Sequence, residues 1–202
     1  MVRAPAGNLE PRVARIVEVE AYIGEDDQAS HARFGPTGRN QVMYGPPGVA
    51  YVYLVYGMYD CLNIVTEAAG RPAALLVRSV EPLDGIAAMR RARIDVAAAR
   101  RRSRPAGIVA AEQIRLMSMD PTGLARGPGL VCAALSIDRS LSGIDLLDPG
   151  APLRLERAPA DEPLPPVSTG PRIGIGYAGA AWADQPWRFW ITGNPAVSRP
   201  NR

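Results

Sequence analysis

The chain has 202 residues, 47% of them hydrophobic, which is enough apolar content for one ordinary core in a single domain covering residues 1–202. Its 23 basic and 20 acidic residues give a formal net charge of +3, which permits a nucleic-acid partner but is too small to indicate one. No apolar run is long enough to cross a bilayer and the first residues lack a secretory signal, so we expect a soluble protein with no membrane partner.

The composition also excludes several classes of enzyme. The only histidine is His31, and the only cysteines, Cys61 and Cys132, lie far apart without CxxC spacing. We therefore expect two buried thiols, no metal site and no cofactor. The sequence contains no lysine, which excludes Schiff-base catalysis by a lysine amine, and it has neither a phosphate-binding loop nor a nucleophile elbow.

The first element is a strand over residues 12–22, which is rich in Val and Ile and alternates in its second half. The alternation places Glu18, Glu20 and Tyr22 on one face and aliphatic residues on the other. A carboxylate at Glu20 then either faces solvent or lines a cleft. The following residues 24–48 are dense in Gly, Pro, Asp and Asn, which predicts a long loop that carries His31.

Three further strands are predicted in the first half of the chain. Residues 49–56 are aromatic and β-branched and residues 60–67 resume that pattern, so we expect a hairpin that turns near Gly57 and Met58 and leaves Tyr56 at an exposed tip. Residues 73–80 form a third, largely buried strand with a single charge, Arg78, which requires a partner.

The second half of the chain mixes helices and strands. The composition predicts helices over residues 83–102 and 110–119, and a short apolar helix in LVCAAL after Gly127-Pro128-Gly129. Strands follow in PLRLERA, RIGIGYA and WRFWITG, with a proline-rich loop after the first of them. The whole is therefore an α+β domain dominated by antiparallel strands.

One charge run and one aromatic cluster each allow two interpretations. Between Arg90 and Arg104 lie seven arginines and a single acid, Asp95, which fit either a solvated helix face or a phosphate-binding patch. Four of the seven tyrosines fall between Tyr51 and Tyr59. Each of them could be a half-buried packing residue, but together they also fit a platform on which a nucleic-acid base stacks.

Several motifs follow one another in order along nearly the whole chain: RIVEVEAY, SHARFGPTGRN, YVYLVYGMYDCLNIV, LLVRSVEPLDG, ARGPG and PWRFWITGNPAVS. Together they resemble the alkyladenine (3-methyladenine) DNA glycosylase family, and VEAY followed by the YGMY hairpin is their most specific combination. The resemblance implies a curved, mostly antiparallel sheet with surrounding helices, similar to the C-terminal domain of formyltransferases.

The resemblance also implies an activity. The enzyme would flip a damaged purine out of the duplex and hydrolyse its N-glycosidic bond without cutting the strand. Alkylated or deaminated purines would be its substrates, namely 3-methyladenine, 7-methylguanine, hypoxanthine and ethenoadenine. Its partner would be double-stranded DNA that contains such a purine, bound by a monomer in the bacterial cytoplasm, at the nucleoid, or in a eukaryotic nucleus.

Site residues are carried over position by position. Glu20 matches the general base that activates the attacking water, and Arg78 matches a residue near that water and the lesion phosphate. Tyr56 matches the side chain that intercalates into the duplex. The base-binding pocket would comprise Tyr22, His31, Tyr53 and Asn63, with Asn63 crowding the exocyclic amine of guanine. Candidate DNA contacts are Thr37, Arg39, Met58 and Tyr59.

The sequence departs from the family at two places. We expect the N-terminal helix of the family to be absent, and Leu130 stands after ARGPG where a lysine is usual, which removes one phosphate contact. A nucleic-acid-binding module that performs no hydrolysis is the main alternative, and a structural domain with tyrosines in its core is another.

Overall fold

The sheet follows from runs of β-branched and aromatic residues, which favour extended backbone. A computed structural model describes residues 1–4, 10–99 and 106–198 of the chain. Within these ranges all paired strands are antiparallel and the sheet curls into half a barrel, in agreement with the predicted fold class. Its strands are β1 (Val2–Arg3), β2 (Arg12–Ile23), β3 (Ala50–Val55), β4 (Tyr59–Val65), β5 (Ala73–Asp84), β6 (Leu153–Arg154), β7 (Val167–Gly170) and β8 (Arg188–Ile191).

The long strand β2 lies at the centre of the sheet. One of its edges pairs with β5, and the other pairs with β1 near its start and with β8 around Glu18 and Glu20. The register between β2 and β5 shifts on both sides of Glu18, which pairs with Ser79, while Arg78 has no partner in that register. Because a bulge of this kind redirects a side chain, Arg78 can lie beside the two glutamates.

One face of the sheet packs in the main core, and the other face lines a cavity. Val52, Leu62 and Ile64 belong to the main hydrophobic core, on the face that the helices cover. Since successive side chains of a strand point to opposite faces, the residues between them open onto the other face. These are Tyr51, Tyr53, Cys61 and Asn63. Both cysteines are free and buried, as predicted.

Four α-helices lie in the described ranges, and they are α1 (Ile86–Ala99), α2 (Ala106–Ser118), α3 (Pro128–Leu135) and α4 (Ala180–Ala183). The apolar helix α3 contacts α1, β4 and β5, and it contributes Val131 and Leu135 to the main core. None of the helices in the described ranges is long and apolar enough to span a bilayer.

Two of the three arginines in the first half of the run fit neither interpretation. Arg90 donates to two carbonyl oxygens near the end of α2, and the buried Arg93 donates to the carbonyl oxygen of Leu124. These two side chains therefore hold α1 against its neighbours. Arg91 remains exposed, and the other arginines of the run lie in residues 100–105, outside the described ranges.

The predicted elements are wrong in a few places. RIGIGYA contains no strand, because Gly174 has a positive φ of 79° and a 3-10 turn follows at Gly176–Ala178. PLRLERA is extended only at Leu153–Arg154. The strand β7 instead arises at the end of the proline-rich loop, where it pairs with β8. Helix α1 begins at Ile86, because β5 continues to Asp84.

Candidate active site

A cavity of about 240 Å³ opens on the face of the sheet away from the main core. Its floor consists of two cross-strand pairs, Tyr51 with Asn63 and Tyr53 with Cys61. Strands β2 and β5 add Tyr22, Leu76 and Arg78 to the lining. In the described part of the chain, no group of three or more His, Cys, Asp or Glu side chains could hold a metal ion.

Glu20 is fully buried beside this cavity. Its Oε2 atom accepts a hydrogen bond of 2.9 Å from the Tyr22 hydroxyl, and its Oε1 atom accepts one of 2.7 Å from the backbone N–H of Ile173. The Arg78 guanidinium lies 3.1 Å from Oε1. The sequence left open whether Glu20 faces solvent or a cleft. In the structure Glu20 is 0% exposed, so it faces neither solvent nor the open cavity. Tyr22, Ile173 and Arg78, which contact its carboxylate, line the cavity instead.

Arg78 is held between two buried carboxylates. Its Nε atom donates to Glu18 at 3.1 Å, while its other contact is the one to Glu20. The partner that its burial requires is thus present within the sheet itself, while the neighbouring lesion phosphate and water that the resemblance implies stay a prediction. Glu18 also accepts from Arg188 at 3.3 Å and from the hydroxyl and N–H of Ser198 at 2.8 and 2.7 Å. Strand β8 and the chain end therefore fix the position of Arg78.

One wall of the cavity is aromatic. The rings of His31 and Tyr53 meet edge to face with centroids 4.3 Å apart, and Tyr51 donates to or accepts from His31 Nδ1 at 3.0 Å. Burial, and then the positive charges of Arg39 and Arg33, lower the pKa of His31 to about 4. His31 is therefore neutral at pH 7, and the wall carries no charge of its own.

Tyr22 lines the cavity beside Glu20. Burial raises the pKa of Tyr22, and the negative charge of Glu20 and the hydrogen bond to it raise the pKa further. The hydroxyl is therefore a neutral donor at any pH at which the protein works, so Tyr22 combines a flat ring at the cavity with a fixed hydrogen bond to the carboxylate.

Asn63 is held rigidly in the floor of the cavity. Its amide nitrogen donates to the carbonyl oxygens of Tyr51 at 3.1 Å and Cys61 at 3.4 Å, and its side chain is buried. Because both donors of the amide face the sheet, the orientation of the group is set by the backbone.

Sequence reasoning missed one segment of the site, residues 172–178. Ile173, Gly174, Ile175 and Tyr177 line the cavity, and the Ile173 N–H is a partner of Glu20. The segment was assigned to a strand because its apolar residues alternate with glycine. Its Gly174 was the available signal, since glycine in a strand pattern often marks a break or a close approach of backbone.

Comparison with known proteins identifies the family. A family model described as methylpurine-DNA glycosylase matches residues 5–195. The chain belongs to this family. It is 46% identical over 190 residues to a relative from Anaeromyxobacter dehalogenans, with 94% of this chain and 71% of the relative covered. For a relative from Methanocella arvoryzae the identity is 45% over 195 residues, covering 96% and 82%. The names of both relatives assign them provisionally to 3-methyladenine DNA glycosylase.

A methylpurine-DNA glycosylase is a hydrolase that acts on N-glycosyl bonds in DNA, so this chain is an enzyme with DNA as its substrate. We take the cavity beside the buried Glu20 as the candidate site of the reaction. The family assignment thus favours an enzyme over the non-catalytic binding module.

The hairpin between β3 and β4 projects beside the cavity of the glycosylase. At its tip Tyr56 is 84% exposed, and the backbone has a positive φ of 51°, a conformation that aromatic residues rarely adopt. The N–H of Met58 donates to Val55 across the turn at 3.0 Å, and Gly57 also has a positive φ. The hairpin thus presents a large ring to solvent from a tightly defined turn.

The other candidate DNA contacts have mixed positions. Thr37 and Arg39 are exposed and line a second cavity that shares His31 with the first. Met58 is exposed at the hairpin tip. Tyr59 is half-buried, and its ring packs so closely on Gly129 that a Cβ at that position would lie 2.6 Å from the ring. Leu130 follows in the first turn of α3 and is half-buried.

Proposed function

We propose that this glycosylase excises alkylated or deaminated purines by a single hydrolytic step. Water attacks C1′ of the flipped nucleotide, the new bond forms between the water oxygen and C1′, and the bond between C1′ and the purine nitrogen breaks. Glu20 takes the proton of the water, and the electron pair of the broken bond leaves with the purine. A cationic alkylpurine therefore departs neutral, and an uncharged purine departs as an anion that takes up a proton from solvent. An abasic site remains in an uncut strand. The substrates are 3-methyladenine, 7-methylguanine, hypoxanthine and ethenoadenine.

The observation that carries the proposal is the hydrogen bonding of Glu20. An ionised carboxylate has about four acceptor positions. Tyr22 and Ile173 donate hydrogen bonds to two of them and Arg78 forms an ion pair with Oε1, which leaves at least one acceptor position for a water. Because the carboxylate is fully covered, its neighbours must shift before water reaches it. Tyr22 both covers Glu20 and lines the cavity. A base that binds in the cavity therefore contacts the side chain that limits the access of water to Glu20.

The aromatic residues supply the binding site for the base. His31 and Tyr53 contact each other directly, so they form one wall, and we assign the opposite face of the base to Tyr22, which also lines the cavity. Stacking on such rings contributes roughly 1–3 kcal/mol per base. Alkylation of a purine ring nitrogen leaves the base cationic, and the neutral His31 and the tyrosine rings favour such a base over an uncharged one.

Asn63 provides discrimination against normal guanine. Its amide is fixed by two backbone carbonyls in the floor, so it does not turn away from an exocyclic amine that approaches it. Adenine-type and hypoxanthine bases lack an amine at that position of the ring. Their steric fit is therefore unaffected by Asn63. 7-Methylguanine carries the same amine as guanine, and we propose that its positive charge, through stacking on the aromatic rings, offsets the clash.

The exposed Tyr56 is the residue that enters the duplex. Its ring stands free at the hairpin tip, where it can fill the gap left by the flipped nucleotide. A single damaged nucleotide can be bound by one chain without a second copy. We therefore propose that the enzyme acts as a monomer. The absence of lysine from the sequence supports hydrolysis without a Schiff-base intermediate and hence without strand cleavage.

Product analysis on defined duplexes tests the proposal. Duplexes with one hypoxanthine or one ethenoadenine, and an undamaged control, are incubated with excess enzyme and split into samples with and without alkali. We expect strand breaks only after alkali and only in the damaged duplexes. Breaks without alkali, or a borohydride-trapped covalent complex, would contradict monofunctional hydrolysis. Selective binding without any base release would favour the non-catalytic module.

A further inference from the structure

A buried ion pair lies directly behind the cavity. Arg172 and Asp27 form two parallel hydrogen bonds, from NH1 to Oδ2 at 2.6 Å and from NH2 to Oδ1 at 2.9 Å. Both side chains are 0% exposed. Asp27 also accepts from the N–H groups of Ile23 and Ala29, at 3.3 and 3.0 Å, so it is anchored in the loop that carries His31.

The guanidinium of Arg172 contacts two aromatic rings. Its central carbon lies 4.7 Å from the centroid of the Tyr22 ring and 4.9 Å from that of Trp187. A planar guanidinium stacks on aromatic faces in a way that a lysine ammonium does not. The ring of Tyr22 therefore has a fixed support on the side of Arg172.

Arg172 also controls the surroundings of Glu20 through the backbone. Its NH1 atom donates to the carbonyl oxygen of Ala21 at 2.9 Å, between Glu20 and Tyr22 in β2. The next residue along the chain, Ile173, donates its N–H to Glu20 Oε1 at 2.7 Å. One side chain thus connects the strand of the catalytic carboxylate with the loop that completes its hydrogen bonding.

We propose that the Asp27–Arg172 pair is a positioning unit that holds the Tyr22 ring and the Glu20 carboxylate in a fixed position relative to each other. Arg172 touches neither base nor water, and it acts through Tyr22 and Ile173. The inference rests on the proposed function, because it assigns a means of alignment to the same base-stacking ring and the same water-activating carboxylate. Misplacement of a reacting group by about 1 Å costs roughly 100-fold in rate, so alignment of this kind has a measurable effect.

The variant Arg172→Lys tests the unit because it keeps the positive charge for Asp27 but loses the planar stack and the second hydrogen bond. The matched control is Arg93→Lys, which makes the same substitution at a buried arginine that donates to Leu124 in the main-core region. Single-turnover excision of hypoxanthine and the affinity for the same duplex are measured for both, at a temperature where circular dichroism shows each variant to be folded.

We expect Arg172→Lys to lower the excision rate by about 10- to 100-fold with a change in duplex affinity of less than about 3-fold. Arg93→Lys is expected to stay within about 2-fold of wild type in both quantities. An Arg172→Lys rate within about 2-fold of wild type would overturn the inference, because a purely structural role predicts lost stability with unchanged chemistry.

Trp187→Leu provides a second test if Arg172→Lys does not fold. It removes the outer ring of the stack and leaves the ion pair with Asp27 intact. We expect a lower excision rate with little change in affinity, and an unchanged rate would overturn the inference. Failure of the proposed function is distinct, because in that case the wild type itself releases no base from either damaged duplex and the inference falls with it.

Discussion

Replacing Glu18 by glutamine should remove the charge that balances the arginines behind the active site. Glu18 is 1% exposed, and its carboxylate accepts hydrogen bonds from Arg78, from Arg188 and twice from Ser198. In Glu18→Gln the two guanidinium groups remain buried; Arg78 keeps its ion pair with Glu20, and Arg188 loses its ion pair with Glu18. Removing one partner of a buried ion pair typically costs about 3–5 kcal/mol.

That loss should be visible in both stability and melting temperature. In a chain of this size each kcal/mol shifts Tm by about 2–4 °C, so Glu18→Gln should melt roughly 6–20 °C below wild type. The same substitution in an exposed pair is the control. Glu156 lies 2.7 Å from Arg154 with its side chain 51% exposed, and Glu156→Gln should cost less than about 1 kcal/mol.

Denaturant titration followed by circular dichroism and tryptophan fluorescence measures both variants, with coincident curves required as evidence of two-state unfolding. A loss of less than about 1 kcal/mol for Glu18→Gln would refute the reasoning. It would mean that Glu18 carries no charge the arginines need, and that Arg78 is not held in place by the glutamate pair.

Three further predictions concern the cavity and the hairpin. Asn63→Ala should raise the excision of unmodified guanine, measured as release from undamaged duplex, and an unchanged guanine rate would remove the role proposed for this amide. Tyr56→Ala should lower excision by about 10-fold or more, with stability within about 1 kcal/mol of wild type because the ring is exposed and its backbone strained; equal excision would contradict the role of Tyr56 in the duplex. His31 is the only histidine, so it gives one set of ring signals in an NMR titration. Its pKa should be found near 4, well below the usual 6.5. A midpoint near 6.5 would show that burial and the neighbouring arginines do not lower the pKa as described. Because the unfolded chain binds a proton between these values and the folded chain does not, His31 should make the protein less stable as the pH falls from about 6.5 to 4, and His31→Gln should flatten that slope.

Strand alternation made one face of β2 and the hairpin predictable from the sequence, whereas the pocket residues were implied by the family resemblance. The period of β2 correctly grouped Glu18, Glu20 and Tyr22, and the hairpin of β3 and β4 turns where Gly57 and Met58 indicated. These features depend on residues close together in the chain. They therefore follow from local pattern, as does the exposed position of Tyr56 at the tip.

The surroundings of Glu20 could not be predicted in the same way. Ile173, which donates to Glu20, is separated from it by 153 positions, and Ser198, which donates to Glu18, by 180. Alternation says only which face a side chain takes, so it could not decide between solvent and a cleft. The decision depends on the segments that cover that face, and they come from the far end of the chain.

The glycine-rich segment and the arginine run show two further limits. In RIGIGYA the alternation of apolar residues with glycine imitates a strand, but Gly174 adopts a left-handed backbone and the segment turns to meet Glu20. In the run after Arg90, charge alone suggested an exposed surface. Arg90 and Arg93 instead donate hydrogen bonds to backbone carbonyl oxygens of neighbouring elements, which only the tertiary structure reveals.

The most direct test of the central claim is single-turnover excision by Glu20→Gln beside wild type, on a duplex with one hypoxanthine and with enzyme in excess. The amide is nearly isosteric with the carboxylate but cannot take a proton from water. We predict a loss of about 10²- to 10⁴-fold in the excision rate, with lesion binding retained. Excision by Glu20→Gln at the wild-type rate would contradict the account, because the water would then be activated by another group.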